Sequence, residues 1–452
     1  MPHRDDRPNV LFFFTDDQRF DTIEALGNGH VRTPTLNSLV ERGTTMTNAY
    51  IMGGTSGAVC MPSRAMLMTG RTLFHIEREG QDVALDHVMM PEAFRRAGYQ
   101  TFGTGKWHNG RSAFARCFTA GGRIFFGGMS DHWEVPLNDF DPAGAYPAER
   151  IYHKKGEHSS DLFCGEAARF IRQYDSDAPF FAYVSFTAPH DPRDTHAKYH
   201  AMYDADKLPT PVSFMPRHPF DNGEMTIRDE KLAPWPRTPE IVRQHIADYY
   251  AMITHADAQM ALVLEALRQT GRLDNTIIVF AGDNGLALGR HGLMGKQNLY
   301  EHSVHVPLVF AGAGIPAGER RDAFCYLLDI FPTLCELTGV ERPASVEGRS
   351  LAPLLADSNA TVRDGLLFAY RHLHRGVRDE RYKLIVCAVE GRRTTQLFDL
   401  ADDPFELNNL ADHPAAARHT QRLRAELNRW QTDLDDTREQ GRQFWAGRAE
   451  GR

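Results

Sequence analysis

No pair of cysteines in the chain has the spacing of a zinc knuckle or a redox motif. The six cysteines, Cys60, Cys117, Cys164, Cys325, Cys335 and Cys387, include no C-x-x-C, and most lie among apolar residues. Free, buried thiols in a reducing compartment are therefore expected for all but Cys60. Long basic runs are missing as well: 51 lysines and arginines are scattered among 59 acidic residues, for a net charge of −8. That balance argues against nucleic acid or an anionic membrane as the main partner, while leaving room for a local positive cleft. There is no internal repeat and no low-complexity tract. The start of the chain, Met1 to Arg7, is polar and leads straight into the apolar run at 10–14. That run is too short for a signal h-region or a membrane span, so a cytoplasmic protein is expected, a trimmed leader being the alternative.

What is present is apolar sequence in quantity, 42% of 452 residues. That is enough for a large domain with a smaller companion. Short apolar runs at 10–15, 180–186, 276–281 and 306–310 read as buried strands, and helical patterns at 91–97, 161–173 and 241–269 lie between them. This alternation predicts an α/β fold, a mostly parallel central sheet flanked by helices. The stretch 204–239 is rich in proline and polar residues and has no clear period, as a surface excursion shaping a substrate mouth would. Beyond about Val346 the pattern changes: 365–371, 376–386 and 394–399 read as antiparallel strands, and a charged amphipathic helix follows from about Pro414 to Asp435. The expected division is a large α/β domain over 1–355 and a smaller α+β domain with an antiparallel sheet over 356–452.

The predicted strand ends carry chemistry. Asp16 and Asp17 follow the first strand; Asp283 and Asn284 follow the strand at 276–281. Ligands of open α/β sheets bind beyond the carboxyl ends of the strands. Three carboxylates and an amide oxygen are hard ligands that suit Ca²⁺ or Mg²⁺ better than zinc. The alternative is turn chemistry, since Asp283-Asn284-Gly285 is also a good turn. Further strand ends add Lys106 with His108, then His190, and a later loop adds Lys296. Singly these are ordinary loop residues; together they would make an anion site. His132, Trp133, Asp191 and Arg193 lie in loops that could face a substrate, whereas His291, His302 and His305 read as structural.

The most specific segment is Cys60-Met61-Pro62-Ser63-Arg64. Pro62 suits a first helical position, which would put Cys60 just before a helix N-terminus and Arg64 one turn in. A cysteine phosphatase loop needs a longer cradle between cysteine and arginine, and a zinc knuckle needs a second cysteine.

With this segment the chain resembles the sulfatase family of the alkaline phosphatase superfamily, over nearly its whole length. The segment matches the family's C-x-P-S-R signature, whose cysteine a maturase oxidises to formylglycine. Thr15-Asp16-Asp17-Gln18, Gly105-Lys106-Trp107-His108, Ala188-Pro189-His190, Gly282-Asp283-Asn284-Gly285, Gly295-Lys296 and Leu397-Phe398-Asp399-Leu400 follow in the family's order. The resemblance implies a large alkaline-phosphatase-like domain and a divalent cation, usually Ca²⁺, with Mg²⁺ possible. Its ligands would be Asp16, Asp17, Asp283, Asn284 and the modified Cys60. It implies that hydrated formylglycine attacks sulfur and later expels sulfate. Arg64 and Lys106 would hold the hydrate and the sulfate oxygens, and His108 would act as base. His190 and Lys296 would serve the leaving oxygen. The implied substrate is a sulfate monoester, with a sulfated carbohydrate the first choice. A phosphonate monoester or phosphodiester hydrolase and a non-catalytic binder of sulfated glycans are the alternatives.

Overall fold

The structure, a computed structural model, describes residues 7–446. Residues 1–6, part of the polar start on which the expectation of a cytoplasmic location rests, lie outside the described residues, as do 447–452. An eight-stranded sheet forms the centre. From edge to edge its strands are Glu319–Arg321, Gly43–Met46, Leu308–Gly312, Thr276–Gly282, Asn9–Thr15, Phe180–Ser185, Gln100–Lys106 and Ala120–Phe125. The last five run parallel to one another. Leu308–Gly312 is antiparallel to both of its neighbours. The apolar run expected as a further parallel strand is thus a strand, shifted two residues and reversed in direction. The reason is its connection: between Gly282 and Leu308 there is only the one-turn helix Glu301–Val304. Without a longer crossover helix the chain returns beside the strand it left.

Alternation along Asn9–Thr15 divides the interior in two. Val10, Phe12 and Phe14 enter one apolar cluster; Leu11 and Phe13 enter the other. Successive strand side chains point to opposite faces, so a strand buried on both sides must be apolar at every position. The helices Ser159–Gln173 and Pro239–Gln269 cover the Leu11 face through Ala167, Ile171, Met260 and Val263. The helices Cys60–Thr69 and Ile330–Thr338 cover the other.

Strands Leu366–Tyr370, His374–Arg378, Tyr382–Val389 and Arg392–Asp399 form an antiparallel sheet, backed by the helix Ala417–Asp433. The segment expected as a single strand over 376–386 is two strands with a turn at 379–381. A fifth, two-residue strand, Gly53–Gly54, joins this sheet parallel to Leu366–Tyr370. The sheet therefore reaches back to within a few residues of Cys60. No helix among the described residues is long and apolar enough to cross a membrane.

Candidate active site

The carboxyl ends of the parallel strands converge as the sequence predicts. Asp16 and Asp17 leave Asn9–Thr15, Asp283 and Asn284 leave Thr276–Gly282, and Lys106 ends Gln100–Lys106. Arg64, wholly buried, ties them together. Its Nε donates to Asp283 Oδ2 at 2.9 Å, Nη2 to Asp16 Oδ2 at 3.0 Å, and Nη1 to Ser185 Oγ at 2.7 Å and the Lys106 carbonyl at 3.1 Å. Lys106 Nζ pairs with the same Asp16 oxygen and donates to the Gly128 carbonyl at 2.5 Å. Asp17 Oδ1 accepts from Lys296 Nζ at 2.6 Å and from Asn284 Nδ2 at 2.7 Å. Burial favours neutral Asp16, but Lys106 and Arg64 outweigh it and hold the carboxyl well below the usual range. Burial and the neighbouring Asp16 charge push Asp283 up to about 6.

Three oxygens are left over. Asp16 Oδ1, Asp17 Oδ2 and Asn284 Oδ1 are buried without a hydrogen-bond partner among the described residues. Asp16, Asp283 and Cys60 bring ligand atoms within 4.8 Å of one another, and so do Asp16, Asp17 and His190. Buried oxygens left unpaired are costly, and a hard divalent cation is the partner that suits them. The donor set fits such an ion. Asp17 and His108 also hold positive backbone φ, 65° and 74°, a conformation uncommon outside glycine and concentrated at functional sites.

The helix carrying Cys60 spans Cys60–Thr69. Cys60 is therefore its first residue, and Pro62 stands third rather than first. Ser63 Oγ donates to the Asp283 carbonyl at 2.6 Å, fixing the helix start against the acidic loop. Cys60 Sγ lies 3.4 Å from His108 Nδ1 and 3.6 Å from Lys106 Nζ. Burial pushes the thiol up to about 11, so it is neutral at ordinary pH. Burial, helped by Lys106 and Arg64, holds His108 well below its usual value and keeps the ring neutral. The far edge of the His108 ring lies against Gly128, where a Cβ would sit 2.9 Å from its Nε2 and would force the ring to shift.

Cys60, His108, His190 and Lys296 share a pocket of about 260 Å³. His190 Nε2 stands 3.7 Å from Asp17 Oδ2, and Nδ1 is 2.7 Å from the Asp191 carbonyl. The pocket is completed by Ile227, Arg228 and Asp229 from the long excursion and by Gln297 and Met129. The sequence reading missed these. The excursion was legible as a substrate mouth, but nothing in an aperiodic segment singles out the three residues that reach the pocket. Asp191 is at the edge of this group, its carboxylate paired with Arg228. His132, Trp133 and Arg193 are not among the pocket's lining residues. His132 is buried: Nε2 bonds the His190 carbonyl at 2.9 Å and Nδ1 bonds Ser159 Oγ at 2.9 Å. It stands behind His190 and cannot touch a substrate directly. Trp133 donates to Asp194 at 2.9 Å, and Arg193 is bonded to His245 at 3.0 Å. His291 stacks on Tyr300 at 4.0 Å, His302 is buried, and His305 stacks on Phe20 and Tyr50 at 4.2 and 4.6 Å. All six cysteines are free and buried.

A mostly parallel sheet that gathers carboxylates, an arginine and lysines at its strand ends, with an antiparallel lobe packed on its core, is the alkaline-phosphatase-like architecture. The sulfatase family profile matches residues 8–340, and that of the N-sulphoglucosamine sulphohydrolase C-terminal region matches 289–433. The chain belongs to the sulfatase family and is an enzyme of the sulfatase class. The N-acetylglucosamine-6-O-sulfatase of Bacteroides thetaiotaomicron is 25% identical, over 95% of this chain and 87% of that protein. A structure solved with its substrate D-glucosamine-2-N,6-O-disulfate matches with a TM-score of 0.82 at 23% identity, covering 96% of this chain and 99% of that one. The phosphonate monoester hydrolase of Agrobacterium radiobacter matches with a TM-score of 0.77 at 22% identity, covering 95% and 96%.

Proposed function

We propose that the protein releases sulfate from monoesters of carbohydrates. It would use a formylglycine made by a maturase from Cys60 and a divalent cation, Ca²⁺ or Mg²⁺. The observation that carries this reading is the set of unpaired oxygens on Asp16, Asp17 and Asn284 beside Cys60. Asp16, Asp17, Asp283, Asn284 and residue 60 would hold the ion, which supplies positive charge for the sulfate oxygens when bound. Formylglycine, when present, supplies a hydrated aldehyde as nucleophile where the neutral thiol would be a poor one. Arg64 and Lys106 fix the acidic loops and add positive charge beside residue 60. His108, 3.4 Å from the Cys60 sulfur, is placed to take a proton from the side chain at that position. His190 and Lys296 border the open pocket, His190 as proton donor to the departing oxygen and Lys296 as its electrostatic partner. A carbohydrate substrate is supported by the named activity of the B. thetaiotaomicron relative and by the sugar bound in the similar structure.

The test rests on the leaving group. A sugar alcohol leaves as a strongly basic alkoxide, a nitrophenol as a stable phenolate. His190→Ala and Lys296→Ala should each cut kcat/KM on carbohydrate sulfates by about 10²–10⁴-fold and on nitrophenyl sulfate clearly less. His108→Ala should affect both substrates alike and accumulate sulfated enzyme, visible by intact mass. Aryl phosphonate is the control for the phosphonate hydrolase reading, and peptide mass spectrometry at position 60 must accompany the rates. Full activity with only unmodified cysteine, or faster turnover of the phosphonate, would overturn the proposal.

A further inference from the structure

The catalytic pocket has a larger neighbour across His108. His108 and Gly128 line both that pocket and a larger chamber of about 600 Å³, against about 260 Å³ on the Cys60 side. We infer that this chamber is a second saccharide subsite. The substrate is then an acidic oligosaccharide: its sulfated residue sits over Cys60, and the neighbouring residue lies against Phe126 with an anionic substituent turned to Arg111. The inference rests on the sulfatase reading above and adds the substrate class.

Size is the first argument. Pockets that hold small-molecule ligands run to roughly 300–1,000 Å³; the space beside Cys60, about 260 Å³, falls below that range, whereas the adjoining chamber of about 600 Å³ lies within it. The second is the wall. Phe126, half-buried, is held edge-to-face by Tyr146 at 4.6 Å and by Phe114 at 5.8 Å. A ring fixed in this way can pack against a pyranose without further ordering cost, with the Arg111 guanidinium already lying over it.

Charge points to the same place. Arg111 is exposed and sits on the chamber wall, its guanidinium carbon 5.8 Å from the Phe126 ring centre. Its Nη1 donates to the Tyr146 carbonyl at 2.9 Å. That bond fixes the guanidinium without neutralising it, and no carboxylate among the described residues pairs with it. Asp82, the acidic residue of the same wall, is committed to Arg78 at 2.7 Å. On the catalytic side the corresponding exposed arginine is Arg228, and both Asp191 and Asp229 already neutralise it. A second negative group on the substrate therefore finds its free cation in the chamber. Arginine forks bind carboxylate and sulfate groups alike, so a uronic acid or a second sulfate would serve.

The experiment compares kcat/KM for sulfate release by formylglycine-containing enzyme on matched sulfated mono-, di- and tetrasaccharides, with nitrophenyl sulfate as reference. The panel includes oligosaccharides with and without uronic acid. Acidic oligosaccharides should exceed the matching monosaccharide by about tenfold or more, the scale of one charge-assisted hydrogen bond. Arg111→Met, a change at an exposed position, should remove most of that advantage through KM and leave the monosaccharide and aryl rates unchanged. Phe126→Ala should remove the advantage of neutral and acidic oligosaccharides alike. The inference fails if monosaccharides are cleaved as well as oligosaccharides, if only the aryl ester is cleaved, or if Arg111→Met leaves the acidic preference intact. Failure to release sulfate from any substrate, the aryl ester included, would instead remove the sulfatase reading on which it stands.

Discussion

Around Arg64 each buried charge is answered by another: Asp16 by Arg64 and Lys106, Asp283 by Arg64, Asp17 by Lys296. Arg64 is the node because one planar guanidinium, with five donors in a fixed fork, reaches two carboxylates, a hydroxyl and a carbonyl at once, more partners than the three N–H groups of a lysine can serve. Replacing it with methionine keeps the volume and leaves Asp16 and Asp283 buried with too little positive charge. Breaking such a pair typically costs about 3–5 kcal/mol. Arg64→Met should lose about that much by urea denaturation in chelator, and added Ca²⁺ should restore part of it, because the ion supplies charge at the same oxygens. A loss unchanged by Ca²⁺ would mean that no cation binds there. At this scale most of the site was legible from sequence. Asp16, Asp17, Cys60, Arg64, Lys106, His108, His190, Asp283, Asn284 and Lys296 stand in one connected cluster. What the sequence could not separate was a histidine facing the pocket from one behind it. His132 and His190 are both loop histidines, and only packing decides that the first supports the second.

Elements also meet through single buried polar residues, not only through apolar faces. The helix Pro34–Glu41 has no side-chain cap of its own. Asp257, from the middle of Pro239–Gln269, supplies one: its carboxylate accepts from the Thr35 N–H at 3.0 Å and the Leu36 N–H at 2.7 Å. An acceptor at a helix N-terminus is favourable, but this one is fully buried, and burial pushes Asp257 up to about 6. The folded state then holds the proton over a pH range where the unfolded chain, at the usual 3.8, has released it. Stability contributed by this group is complete below pH 3.8 and is lost as pH rises through about 6. Asp257→Asn cannot titrate and keeps one acceptor. Relative to the variant, the natural protein should lose up to about 3 kcal/mol across that window and nothing further above it. Urea midpoints for both proteins at several pH values would show this, and a pH-independent difference would refute it. The same helix pair shows what sequence periodicity can and cannot yield. The helix at 241–269 announces itself through apolar spacing, whereas Pro34–Glu41 was not anticipated and a cap contributed from 221 residues away leaves no local trace. The reversed direction of the strand Leu308–Gly312 was illegible for a related reason, since an apolar run reads the same in either direction.

Across the whole molecule the two sheets are not separate bodies. One apolar cluster includes Val10 and Phe12 of the large sheet, Met66 of the Cys60 helix, and Leu384, Leu397 and Leu423 of the C-terminal lobe. Lys383, fully buried in the antiparallel sheet, pairs with Glu301 at 2.9 Å and Glu406 at 2.9 Å, tying that sheet to the loop after Lys296. Arg375 pairs with buried Asp436 at 2.6 Å and holds the last described helix against the lobe. Gly53 is the tightest seam. It has φ 102°, and a Cβ there would lie 2.1 Å from the Ala369 carbonyl oxygen, so only glycine lets this strand pair with Leu366–Tyr370. The division at 355 suggested by the change of pattern therefore cuts through a shared core, and a two-residue strand of glycines gives the sequence no apolar signal to reveal it. Three expectations rest on that continuity. The intact protein should unfold in a single calorimetric transition whose van't Hoff and calorimetric enthalpies agree, despite its length. A fragment ending at 355 should fail to fold, because it would expose Tyr50, Met52 and Tyr326, which the lobe's Leu367, Phe368 and Ala369 now help to bury. Gly53→Ala should act in the same direction more mildly, lowering stability and, through the short segment to Cys60, sulfate release together. Two resolved transitions, or a fragment ending at 355 with native circular dichroism and a cooperative melt, would show instead that the lobe is an independent unit and that its contacts with the catalytic sheet are incidental to the fold.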